Sequence, residues 1–144
     1  MYSRINLAKT NYALAPPHFN TAVLTKFDPH LLQDIYRDYC LYKQFPSVMP
    51  LFIEEFWYEQ ADVIGYTYKG TLVAYTLMFR YNRANVAAAQ FAWNYRQPWL
   101  RIGIESLKHL CAFYKSQSFN FLYLGGAEPY KQQLEGYELC GPMS

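Results

Sequence analysis

The chain has little clustered charge. Its 144 residues carry a formal net charge of +2, and nowhere do Lys or Arg run together. A surface dedicated to nucleic acid leaves a clustered basic footprint, so its absence argues against a DNA- or RNA-binding protein; a limited contact to a tRNA end stays compatible. Cysteine is equally sparse. Cys40, Cys111 and Cys140 are scattered, odd in number and form no CxxC unit, which fits neither a disulfide framework nor a zinc site. His18, His30 and His109 lack ligand spacing, so no metal is expected. No apolar stretch approaches the ~20 residues of a membrane span. The start shows no charged-then-apolar signal, and the expectation is a cytoplasmic protein without a membrane partner.

What the chain does have is bulk. Roughly half its residues are hydrophobic and fifteen are tyrosine, a residue that buries a large ring while keeping a hydroxyl available. One domain over residues 1–144 is expected, with 1–20 irregular because Pro16-Pro17 blocks a continuous helix or central strand.

The pattern then alternates. Thr21 to Thr25 reads as a short strand. Asp28-Pro29 opens a helix with Leu31, Leu32, Ile35, Tyr36 and Tyr39 at helical spacing. A second helix is predicted from about Pro50 to Glu59. Val63–Tyr68, Leu72–Tyr81 and Val86–Tyr95 read as an antiparallel meander turning at Lys69-Gly70 and at Arg80–Asn85. An amphipathic helix follows from about Leu100 to Gln117, with Ile104, Leu107, Leu110, Cys111 and Tyr114 on one face. Phe119 to Leu124 alternates little and is strongly apolar, as a strand buried on both faces would be. Gly125-Gly126 ends it, a short helix runs from Pro129 to about Leu134, and Tyr137–Cys140 adds a last strand.

This order of elements resembles the GNAT acyltransferase superfamily from about Thr21 to Gly141. The resemblance implies an α+β fold with a mixed, mostly antiparallel central sheet flanked by helices. The tail from Ala127 to Leu139 is similar to the family's helix carrying a Tyr, followed by a Leu-x-Gly-aromatic turn, here Leu134-Glu135-Gly136-Tyr137. By that match Tyr130 is the general acid to a departing thiolate, a role a phenol can fill because it is protonated at neutral pH. Its structural alternative is packing or capping of the last helix.

The junction Tyr95 to Leu107 resembles the turn that offers backbone N–H groups to the pyrophosphate of coenzyme A at a helix N-terminus. Gly103 is kept, whereas Glu105 stands where a second small residue is usual. That carboxylate repels a phosphate, and Arg96 and Arg101 are the cations able to offset it. The family's splayed strands place Phe91, Ala92, Trp93 and Asn94 along the ligand cleft, with core packing as the alternative for Trp93. Glu54 and Glu55 fall where an acceptor amine is held or deprotonated, their alternative being a solvated helix face. Tyr123-Leu124-Gly125-Gly126 with Tyr130-Lys131 is similar to the aminoacyl-tRNA–protein transferases and peptidoglycan-bridge aminoacyltransferases, which use aminoacyl-tRNA in place of coenzyme A.

The resemblance therefore implies transfer of an acyl or aminoacyl group from acetyl-CoA or aminoacyl-tRNA to the amine of a small molecule or peptide. The competing expectation is a non-catalytic interaction module on a degenerate GNAT-like domain. In that case the final hairpin, short in a chain ending at Ser144, is incomplete or supplied by a partner, and a homodimer buries Tyr and Trp across the cleft mouth.

Overall fold

A computed structural model describes residues 2–45, 54–126 and 129–141. Its centre is a seven-stranded sheet built from β1 (Tyr2–Asn6), β2 (Asn20–Val23), β3 (Ala61–Tyr68), β4 (Thr71–Arg80), β5 (Asn85–Trp93), β6 (Phe121–Gly126) and β7 (Tyr137–Cys140). The spatial order is β2-β3-β4-β5-β6-β1-β7. The pairs within this sheet are antiparallel except β5–β6, which is parallel. The fold is thus α+β with a mixed, mostly antiparallel sheet between two helices, as the resemblance implied.

Helix α1 (Pro29–Tyr42) starts where Asp28 accepts a hydrogen bond from the His30 N–H at 2.9 Å, with Pro29 in the first turn. Such a cap contributes about 1 kcal/mol. The helix lays Leu32, Ile35, Tyr36 and Cys40 on one face of the sheet, against Val63, Tyr75, Leu77 and Ala92. Helix α2 (Ile102–Ser116) covers the other face. There Leu107, Leu110, Cys111 and Tyr114 pack on Ile5, Ile64, Tyr66, Val86 and Leu122. Each fully buried large side chain contributes roughly 1.5–3 kcal/mol of hydrophobic free energy. Burial pushes the Cys111 thiol up to about 12, so it stays protonated and packs as a small hydrophobe.

Three expectations are corrected. Residues 1–20 are not wholly irregular: Tyr2–Asn6 enters the sheet between β6 and β7 and pairs antiparallel with both. Ser3 and Ile5 are fully buried there. The five residues Tyr-Ser-Arg-Ile-Asn carry almost no strand signal of their own; the partners are over a hundred positions away. The last strand therefore pairs with the chain's own first strand. The helix expected from Pro50 to Glu59 is represented only by a 3₁₀ turn at Glu55–Trp57, the segment 46–53 lying outside the described residues. The short helix after β6 is likewise a 3₁₀ turn, Pro129–Gln133.

Gly136 locks the first strand to the last. It has φ +70° and its carbonyl accepts the Asn6 N–H at 2.8 Å. A Cβ built on Gly136 would stand well inside van der Waals contact with the Asn6 backbone carbonyl. Gly136→Ala combines a left-handed backbone with that clash, and we expect it to lower unfolding free energy by about 2–4 kcal/mol in urea titration.

On α2, His109 is buried, with Nε2 3.0 Å from the Thr21 hydroxyl, and burial pushes its pKa down from 6.5 to about 4. The folded state therefore holds a neutral imidazole. Its contribution is fully present above pH 6.5 and is lost as pH falls from 6.5 towards 4, because the unfolded chain takes up the proton first. Between pH 7 and 5 wild type should lose up to about 2 kcal/mol more stability than His109→Gln, measured by paired urea titrations.

Candidate active-site cleft

β5 and β6 pair over only three positions, Asn85↔Phe121, Val86↔Leu122 and Ala87↔Tyr123. Beyond them β6 continues alongside β1 as far as Gly126, while β5 stays with β4 as far as Trp93. The strands part, and a cleft of about 190 Å³ opens between them. Small residues of β5, Ala88 and Ala89, form one wall beside Gln90, and Leu124 of β6 faces them. A register shift between Leu77 and Met78 lets β5 bulge at Ala89, so consecutive residues contribute to the wall.

The roof is the first half of α2, through Gly103, Ser106, Leu107 and Leu110. Gly103 leaves open space: an added Cβ would meet no heavy atom within 4 Å. The Ser106 hydroxyl donates to the Gly103 carbonyl at 3.1 Å. On the floor Thr76 shares a 3.0 Å hydrogen bond with the Tyr66 hydroxyl, and Gln90 Oε1 accepts from the Tyr75 hydroxyl at 3.0 Å. Burial pushes both phenols well above their usual range, so they remain neutral.

Tyr130 and Lys131 close the cleft from the 3₁₀ turn after β6. Tyr130 is half-exposed. Lys131 is buried, with its ammonium donating to the Leu124 carbonyl at 3.1 Å and lying 5.8 Å from the centre of the Tyr130 ring. Among the described lining residues it is the one formal charge, and none of them is a carboxylate.

Of the residues singled out from sequence, Tyr130, Gly103 and Phe91 meet at this cleft. Ala92 and Trp93 lie past it and point to opposite faces, into the α1-side and α2-side cores respectively. Asn94 accepts the Arg96 N–H at 3.1 Å in the following turn. Arg96 pairs with Asp38 of α1 at 3.5 Å, and Arg101 is the exposed residue that precedes α2 in a left-handed conformation. Glu54 and Glu55 are at the 3₁₀ turn whose Phe56 packs on Tyr75, and neither lines the cleft. Glu105 pairs with Lys108 at 3.5 Å, which tempers its charge in the first turn of α2.

Lys131, Gln90, Thr76, Ser106 and Tyr39 were not singled out as site residues from sequence. Lys131 had a signal, following Tyr130 just after the Gly-Gly break; the others read as strand or helix interior.

The junction between β5 and α2 is strained at both ends, with Tyr95 at φ 59° and Arg101 at φ 51°. Tyr95 stacks between Trp93 at 4.2 Å and Tyr42 at 3.8 Å, and lies 6.0 Å from Tyr39, which reaches the cleft wall. Two buried polar atoms here, Trp93 Nε1 and Gln97 Oε1, have no partner among the described residues. Sparse backbone conformations and unpaired buried groups concentrate where a protein meets a ligand. Among the described residues no cluster of His, Cys, Asp or Glu could hold a metal ion, and no helix is long and apolar enough to cross a membrane.

Gly103 separates structure from ligand binding. Gly103→Ala should raise stability by about 0.5–1 kcal/mol, as Ala replaces Gly inside a helix. The methyl projects into the open space of the cleft. A raised melting temperature together with weakened protection by the donor is the expected pair of thermal-shift results.

No protein-family model and no curated protein matches the sequence. Solved structures do match. The C-terminal domain of a putative lysylphosphatidylglycerol synthetase from Agrobacterium fabrum superposes with a TM-score of 0.66 at 9% identity, over 88% of this chain and 46% of that one. The chain thus spans about half the length of that protein. A ribosomal-protein-alanine N-acetyltransferase from Brucella melitensis gives a TM-score of 0.60 at 12% identity, over 89% of this chain and 99% of that one. A GNAT acetyltransferase from Elizabethkingia anophelis, solved with acetyl-CoA bound, gives 0.53 at 13% identity over 81% and 70%. At these identities the likeness is one of fold: the chain has the GNAT fold, shared by acetyltransferases and by the lysylphosphatidylglycerol synthetase domain.

Proposed function

We propose that the protein is an acyltransferase that moves an acyl or aminoacyl group from a thioester or ester donor to an amine, with the reaction in the β5–β6 cleft. The observation that carries this reading is the parting of β5 from β6 after Ala87 and Tyr123, with Gly103, Tyr130 and Lys131 gathered at the gap. Acetyl-CoA and aminoacyl-tRNA are the two donor classes this reading admits. The donor supplies an acyl carbon activated by its thioester or ester linkage.

The chain's own groups do the rest. The uncharged walls around Ala88, Ala89, Leu107 and Leu124 exclude water and strengthen any charge interaction inside. The amine nitrogen bonds to the acyl carbon and the carbon–sulfur or carbon–oxygen bond breaks. The Tyr130 hydroxyl gives its proton to the leaving atom, and the proton shed by the amine passes through solvent to restore the Tyr130 phenol. The Lys131 ammonium supplies a fixed positive charge for the negative charge that develops as the bond breaks. In this reading the amine enters already neutral, and Glu54 and Glu55 act at most on its approach.

The small volume, about 190 Å³, also favours a second reading, a binding module that holds an acyl group without transferring it. Tyr130→Phe separates the two. Under the transferase reading it slows turnover by about 10²–10⁴-fold with little change in donor protection against heat. Assays with acetyl-CoA and with aminoacyl-tRNA, each with an amine acceptor, identify the donor. Heat protection by a donor without product formation supports the module; protection by neither removes the transferase reading.

A further inference from the structure

A second concavity lies at the opposite end of the sheet from β7, separated from the cleft by β3 and β4. Its volume is about 430 Å³, and it runs between the edge strand β2 and helix α2. Leu14, Phe19, Val23, Ile64, His109 and Phe113 form most of its wall. Leu14 and Val23 are about half-exposed, and Ile64 and His109 form its buried base.

The edge beside this groove is open. Among the described residues β2 pairs only with β3. The Leu24 N–H donates to Val63 at 2.7 Å, and the register continues through Val23↔Ile64, Ala22↔Gly65 and Thr21↔Tyr66. In an antiparallel ladder the inward bonds fall on alternate residues. Ala22 and Leu24 therefore bond to β3, while the N–H and C=O of Thr21 and Val23 point out to the free edge. The side chain of Thr21 turns towards α2, its hydroxyl 3.0 Å from His109 Nε2. Edge strands are commonly guarded by charge or proline. Asn20-Thr21-Ala22-Val23 contains neither.

We infer that β2 and the groove form a docking site for an extended peptide segment of a partner protein, one carrying large apolar residues at alternate positions. The peptide adds a strand to β2, exchanging backbone bonds with Thr21 and Val23. Residues opposite those two share their face of the sheet, so their side chains enter the groove against Phe113 and His109. Pairing of β2 with β2 of a second copy fits less well: it would offer only Thr21 and Val23 to a groove of about 430 Å³. The imidazole of His109 is neutral, and no other ionisable side chain lines the groove, which matches uncharged peptide side chains.

The test uses full-length ¹⁵N-labelled protein and three capped pentapeptides, with Thr at odd positions and Leu, Phe or Val at even ones. At least one is expected to shift the amides of Thr21 and Val23 together with those of His109 and Phe113. The same peptide N-methylated at its apolar residues should bind at least tenfold more weakly. Val23→Pro, which removes an outward N–H, should weaken binding equally with an unchanged circular dichroism spectrum. The N-methylated peptide needs no folded variant, so it decides alone if Val23→Pro fails to fold. No shifts at about 1 mM with all three peptides, equal binding of the N-methylated peptide, or a β2-mediated dimer seen by sedimentation would each overturn the inference.

Discussion

In the middle of a sheet a backbone amide is expected to find its partner on the neighbouring strand, and between β5 and β6 that holds for three residue pairs only. The rest of the molecule is organised around this interruption. β6 is held away from β5 because β1 engages it along its length, from Asn6↔Phe121 to Tyr2↔Gly126. β1 in turn is clamped by β7 and by the close approach of Asn6 to Gly136. Arg4 reinforces the clamp from the face away from α2. It lies 4.0 Å from the centre of the Phe121 ring, bonds the Tyr123 hydroxyl at 3.2 Å and pairs with Glu138 at 3.2 Å. The first strand therefore acts on the cleft indirectly, by fixing the course of the strand that forms its far wall.

A sheet opened in this way exposes polar backbone inside an apolar surrounding, and each group left there costs free energy. Lys131 answers part of that cost by donating to the Leu124 carbonyl at the point of divergence. The arrangement brings a cation into a confined, water-poor space, where its field is far stronger than at the surface. The same side chain thus completes the local hydrogen bonding and sets the cleft's electrostatics.

How much of this was legible in the sequence follows from where each signal resides. The meander, α2 and β6 were readable because their patterns are local: alternation and turns at Lys69-Gly70, helical spacing from Ile104 to Tyr114, an apolar run before Gly125-Gly126. Asp28-Pro29 marked the start of α1 for the same reason. β1 was not readable, since Tyr2–Asn6 is a strand only because β6 and β7 present matching edges. At the cleft, Tyr130 and Gly103 were named through their surrounding motifs. Ala92 and Trp93 were placed along the cleft by strand membership, whereas the strand's alternation sends them to opposite cores beyond it. A bulge at Ala89 decides which side chains of β5 reach the gap, and a single sequence does not show a bulge. Lys131 stood beside Tyr130 in plain view, yet its role depends on the Leu124 carbonyl, seven residues earlier and brought close by the turn.

The tyrosines, conspicuous in the composition, divide by depth into distinct tasks. Tyr66, Tyr75 and Tyr114 are fully buried, and each hydroxyl meets a named partner: Thr76, Gln90 and Asp62. Burial holds all three phenols neutral, so they serve as fixed hydrogen-bonding partners and as volume. The others at the cleft are arranged as a surface. Tyr39 reaches into the wall, Tyr95 stacks on Tyr42 and Trp93 at the strained exit of β5, and Tyr130 stands half-exposed at the closing turn. Each offers a rigid ring with a polar edge, so the surface is apolar along its length and carries a hydroxyl where it meets solvent. Proton donation requires access to the ligand, which Tyr130 has and the buried three lack. Under the proposed transferase reading, that difference in depth, more than the number of tyrosines, makes Tyr130 the phenol that meets the leaving group.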